Sequence, residues 1–96
     1  MPAAIPVMLY GRFGDEPFHV NTETIDVSEY GGLVTVSAGV SSSQSLILTN
    51  VRTNQDLACR VARLVQTDRG QILAGLAFLR HSPRFWGSAN TADSNK

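Results

Sequence analysis

Asp26 and Ser28 stand two residues apart in Thr24-Ile25-Asp26-Val27-Ser28-Glu29-Tyr30-Gly31-Gly32-Leu33-Val34, a short polar turn between β-rich flanks. A carboxylate and a hydroxyl at that spacing can hydrogen-bond the backbone amides of the turn, or present an acceptor and a hydroxyl to a ligand. The residues alone favour the turn, with the binding element as its alternative. Gly31 and Gly32 are expected to take positive φ where the chain reverses. No catalytic constellation accompanies them. His19 and His81 are far apart in sequence, with neither a nucleophile nor a carboxylate placed to orient them, the pattern of surface or strand-end histidines. Cys59 reads as a buried, inert thiol. Gly11, Gly14 and Gly70 match neither a dinucleotide-binding fingerprint nor a Walker loop, and no Cys/His cluster has metal-ligand spacing. The chemistry on offer is recognition by hydrogen bonds, so the chain is read as a binding protein and not an enzyme, with no metal and no cofactor.

A chain of 96 residues makes one domain with a core large enough to need no disulfide, and its single cysteine excludes an internal one. That usage fits a reducing compartment, and with no basic, apolar leader the expected location is the cytoplasm. No apolar run approaches the roughly 20 residues of a membrane helix. Eight basic side chains balance eight acidic ones, so no overall field draws in a nucleic acid polymer or an anionic membrane. The charge is uneven: Asp15, Glu16, Glu23, Asp26 and Glu29 crowd the first third, while the arginines lie mostly after position 50. That asymmetry either holds the fold together or faces a partner protein.

Six short β segments must position the turn. Ile5 to Tyr10 reads as a first strand, followed by a turn-rich loop from Gly11 to Pro17. Phe18 to Val27 reads as a long strand whose imperfect alternation suggests a bulge. Leu33 to Val36 and Leu46 to Asn50 follow, separated by a polar, small-residue connection from Ala38 to Gln44. In the fifth segment Leu57, Cys59, Val61 and Val65 share one face, and in the sixth Ile72, Ala74, Leu76 and Phe78 do. Helix competes over Leu57 to Leu64 and Ile72 to Leu79, because alanine and leucine are good helix formers; the short lengths, tight loops and β-rich neighbours favour strands. Leu76 and Phe78 should point inward, and Gly75 should be small because another group packs against it. Phe85-Trp86-Gly87 is expected to cover an open barrel end, with an exposed stacking platform as the alternative. The sum is an all-β, six-stranded antiparallel barrel or sandwich over residues 1–87, with residues 88–96 a disordered tail.

The residues that carry a family likeness are Asp26-Val27-Ser28-Glu29-Tyr30-Gly31, a full D-x-S-x-x-G; Ile5-Pro6-Val7 in the first strand; Gly75-Leu76-Ala77-Phe78, like G-V-x-F in the last; and Pro83-Arg84-Phe85-Trp86-Gly87. Together, over about residues 5 to 87, they resemble the PilZ domain family. The resemblance implies a PilZ-like six-stranded antiparallel β-barrel of the split-barrel type. It also implies binding of the bacterial second messenger cyclic di-GMP, through Asp26 and Ser28 at guanine and neighbouring polar atoms, with Gly31 allowing close approach; the bound state acts on an attached domain or a downstream protein partner. The family's R-x-x-x-R motif, which precedes the first strand, is missing, and Arg12 lies on the wrong side of that strand to replace it. Losing two guanidinium contacts to phosphate and guanine costs several kcal/mol, on the order of a thousandfold in affinity. Cyclic di-GMP binding by this chain is therefore expected to be weak or absent. The missing motif would end at or just before Met1, so the expectation is a start set too late or a trimmed chain. A degenerate PilZ-like barrel that works by protein contact alone is the alternative.

Overall fold

The structure is a computed structural model that describes residues 1–36 and 40–87. Six strands follow in chain order: β1 (Pro6–Phe13), β2 (Glu16–Ser28), β3 (Gly31–Val36), β4 (Ser45–Asn50), β5 (Gln55–Gln66) and β6 (Ile72–Phe78). They pair antiparallel in the order β1-β2-β3-β6-β5-β4, and β4 closes the barrel against β1. Leu57 to Leu64, where helix competes, lies within β5, and the competing stretch from Ile72 is strand as far as Phe78. Their ladder partners lie across the sheet, so tertiary pairing outweighs the helix propensity of alanine and leucine.

Period-2 alternation fills the bore. Val7 and Leu9 of β1, Val34 and Val36 of β3, Leu46 and Leu48 of β4, Leu57, Cys59 and Val61 of β5, and Ala74 and Leu76 of β6 are buried together. Phe18 and Val20 of β2 pack against this core. A barrel of this strand number has an interior wide enough only for side chains, so any ligand must bind its outside or its ends.

The first hairpin is tighter than the sequence suggests. The expected loop from Gly11 to Pro17 contracts to Gly14-Asp15, since Gly14 at φ 66° closes a two-residue turn and the ladder continues to the pair Phe13 and Glu16. Gly11 is a strand residue whose missing side chain leaves room for Leu46 and Phe18. Two register shifts interrupt the other ladders. One lies between Thr24 and Asp26 of β2, where the sequence implied a bulge, and the other between Val61 and Arg63 of β5. The second overturns part of the expected core: beyond it Leu64 turns towards the core and Val65, expected inside, is exposed. One extra residue on a bulged strand exchanges the two faces of everything after it.

Both chain ends described by the structure pack on the same barrel end. The segment before β1 runs antiparallel to the end of β2: Val27 N donates to Met1 O, Ala3 N to Ile25 O, and Ile5 N to Thr24 Oγ1. After β6, Phe85 and Trp86 fold back as buried aromatics, with Phe85 edge-on to both Phe78 and Trp86 at centroid distances of 5.3 and 5.0 Å. They cover the barrel end as expected. Asn50, buried at the end of β4, ties this closure down: its Nδ2 donates to Phe85 O, and its Oδ1 accepts from Arg52 N. The connection between β3 and β4 is described only from Val40 onward, and the expectation of a disordered tail over 88–96 falls outside the described residues.

Leu48 and Ile47 are neighbours on opposite faces of β4, the first fully buried and the second 40% exposed. Leu48→Ala is expected to lower unfolding free energy by about 2 to 5 kcal/mol, and Ile47→Ala by no more than about 0.5 to 1 kcal/mol. Urea denaturation midpoints of the two variants check the inside and outside of the barrel.

Candidate functional site

Asp26 and Ser28 sit at the end of β2 that meets β3, and two residues, Glu29 and Tyr30, make the whole connection. Ser28 Oγ accepts from Tyr30 N at 3.1 Å, so its hydroxyl shapes the turn, as the residue types suggested. Asp26 faces the chain start instead: its Oδ1 accepts from the Met1 ammonium. Both side chains keep solvent access.

The two glycines do a different job from the one expected of them. Neither Gly31 nor Gly32 has positive φ; both are strand residues of β3. Gly31 is buried against β6, where a Cβ would run into the carbonyl oxygen of Leu76. Gly32 faces the indole, and a Cβ there would come within 3.0 Å of Trp86 Cζ2. Close approach of backbone and ring, not turn geometry, therefore requires glycine at these positions.

Two concavities flank the turn. The first, a shallow groove of about 370 Å³ on the outer face of the sheet, brings Asp26, Ser28 and Gly31 together with Leu33, Gly75 and Arg63. Its floor is low because Gly75 has no side chain, and Arg63 lies across the gap, with Cγ 3.2 Å and Nε 3.6 Å from where a Gly75 Cβ would be. The group expected to pack on Gly75 is thus an arginine on the outer face. The second, about 520 Å³, is a hollow at the barrel end between the starting segment and the aromatic closure; Ser28, Glu29, Arg52 and Trp86 line it. Trp86 Nε1 donates to the carbonyls of both Ser28 and Gly31, at 2.9 and 3.2 Å, so the turn and the C-terminal closure share one side chain.

Neither Arg63 nor Arg52, which line the two concavities, is marked by the residue order. An unbroken alternation through β5 would leave Arg63 on the core face, and only the register shift turns it out. Arg52 lies in a turn, where nothing in the residue order indicates that it lines the same hollow as Ser28. His81 also differs from expectation, because the fold does supply a carboxylate: its Nε2 lies 2.7 Å from Glu29 Oε1, and its ring stacks on Tyr30 with centroids 5.9 Å apart. Both members are exposed, so the pair sits on the outside of the turn, where such a contact contributes little. His19 stands apart from the site, tilted against Tyr10 with ring centroids 6.0 Å apart. Cys59 is fully buried, and burial pushes its thiol up to about 12. Among the described residues no three His, Cys, Asp or Glu side chains gather as a metal site needs. Comparison of the chain with protein-family models, curated proteins and solved structures finds no match.

Two measurements follow from these placements. Gly31→Ala is expected to cost about 1 to 3 kcal/mol or to prevent folding, because backbone of β6 occupies the space, whereas Ser28→Ala should cost less than about 1 kcal/mol for one exposed hydrogen bond. Chemical denaturation distinguishes this order from one in which the turn hydroxyl dominates. Cys59 should resist a thiol-reactive disulfide reagent at pH 8 in the folded protein and react promptly in urea, since the reactive species is the thiolate. Rapid labelling without denaturant would show that the barrel opens around β5.

Proposed function

We propose that this barrel is a PilZ-type regulatory binding domain whose ligand is cyclic di-GMP, bound weakly by residues 1–96 and contacted through Asp26, Ser28 and Gly31. The supporting observation is the meeting of the D-x-S-x-x-G residues in one surface groove, on a closed six-stranded barrel, with the start of the chain laid along the same strand end. An Asp carboxylate accepts hydrogen bonds from N–H donors such as those of a guanine edge, and a Ser hydroxyl both donates and accepts. Neither carries positive charge for a phosphate, so without the leader arginines these two side chains hold only the base edge and binding is weak. The activity is recognition followed by a change in what the domain contacts, with no catalytic step.

The second reading, a PilZ-like module that acts by protein contact alone, is favoured by a different surface. Tyr10 of β1 and Ile47 of β4 are cross-strand partners on the outer face and are 44% and 40% exposed, beside a groove of about 500 Å³ that also includes Phe18 and Ala58. Exposed apolar rows of this kind mark interaction surfaces.

A leader added before Met1 would emerge beside Asp26, since the Met1 ammonium already bonds that carboxylate. The test compares cyclic di-GMP titrations of the present chain, of the chain with an Arg-Xaa-Xaa-Xaa-Arg leader, and of the extended chain with Ser28→Ala. The fluorescence of Trp86, the single tryptophan, reports on the turn it is bonded to. The leader is expected to tighten binding by on the order of a thousandfold and Ser28→Ala to reverse part of that gain. A leader that adds no affinity would move the assignment to the protein-contact module.

A further inference from the structure

The two register shifts of the barrel fall on one cross-strand row. Asp26 pairs with Leu33, Leu33 with Gly75, and Gly75 with Arg63; one shift lies immediately before Asp26 and the other immediately before Arg63. The next outward row runs Ser28, Gly31, Ala77, Arg60. Each polar side chain at the end of β2 therefore faces an arginine on β5, across two positions held by glycine, alanine or leucine. Unbroken pairing would set Ala62 opposite Gly75 and turn Arg63 towards the core. The shift instead brings Arg60 and Arg63 to the same outer face, both exposed, and neither has an ion-pair partner among the described residues. Bulges commonly serve to re-aim a side chain next to a binding site. At the core face the shift exchanges Val65, which is exposed, for Leu64, which packs against the core.

We infer that Arg63, in the groove, and Arg60, on the adjacent row beside it, form an anion-binding side and take the phosphates of a nucleotide whose base edge is held by Asp26 and Ser28. The inference rests on the reading of Asp26 and Ser28 as ligand contacts. Its physical basis is polarity across the sheet. The β2 side offers a carboxylate, which accepts from N–H donors and repels phosphate, while the β5 side offers two guanidinium groups, which bind phosphate oxygens in bidentate fashion. A ligand with a donor edge at one end and a phosphodiester at the other fits in one orientation only, base over β2 and phosphate over β5. The row spans three strand spacings, about 14 Å between its outer Cα atoms, and the two side chains shorten that gap from both ends. The small floor at Gly75 lets the Arg63 stem lie flat on the sheet, and its guanidinium carries Nε and terminal N–H donors suited to an anion.

The experiment uses the full chain labelled with nitrogen-15, following the arginine Nε–Hε signals during separate titrations with cyclic di-GMP and with guanosine 5′-monophosphate. Arg60→Gln, Arg63→Gln, their double variant and Arg63→Lys are titrated alongside, with Arg69→Gln in the distant β5–β6 loop as a control. Saturable shifts of Arg63 and Arg60 are expected, with at least tenfold weaker binding in the double variant, a partial loss in Arg63→Lys and none in Arg69→Gln. If cyclic di-GMP binds and the double variant binds it equally well, the arginine assignment is overturned while the receptor reading stands. If cyclic di-GMP gives no response but the monophosphate shifts Arg60 and Arg63, the arginine site is upheld and the choice of cyclic di-GMP falls. Silence of both signals with both probes overturns the inference.

Discussion

Closure of the sheet is the constraint on which everything else depends. Once β4 pairs with β1, no strand of the barrel is left with an open edge, and every second side chain is committed to a bore that aliphatic groups fill. The buried polar side chains are few and satisfied: Thr24 bonds the backbone of Ile5 and Ala3, and Asn50 bonds that of Phe85 and Arg52. Exposed polar side chains are thereby left to the outer face and the ends, where those of the β2–β3 turn stand beside Met1 and Trp86.

The aromatic closure links that outer surface to the C-terminal segment. The Trp86 indole N–H is shared between the carbonyls of Ser28 and Gly31, its ring lies over Gly32, and its neighbour Phe85 is held through Asn50 at the end of β4. A displacement of the turn therefore changes a buried hydrogen bond in the segment leading out of the barrel, and such bonds are costly to leave unmade.

The two register shifts are the places where the barrel departs from its own alternation. Each turns an ionisable side chain, Asp26 or Arg63, towards one groove. The shift in β2 was legible because Thr24, Ile25 and Val27 break a simple two-residue period. The shift in β5 was not, because Arg60-Val61-Ala62-Arg63 fits an unbroken strand equally well, and alanine is accepted on either face.

Residue order by itself determined the all-β class and the approximate strand segments, because period-2 burial is a local property of the chain, whereas sheet pairing drew the first turn in to Gly14-Asp15 and held β5 and β6 as strands. Residue order also marked Asp26 and Ser28 as the polar pair of the central turn and Phe85 and Trp86 as a closure. Tertiary structure alone decided that Gly31 is set by the Leu76 carbonyl and Gly32 by the Trp86 ring, that Glu29 meets His81, and that Arg63 lies over Gly75 in the groove of Asp26. Each of these joins residues from strands or loops distant in sequence. Their meeting depends on register, and register is a property of the closed barrel: a shift of one residue on β5 reverses which side chains face the solvent, while leaving the local pattern that the chain displays unchanged.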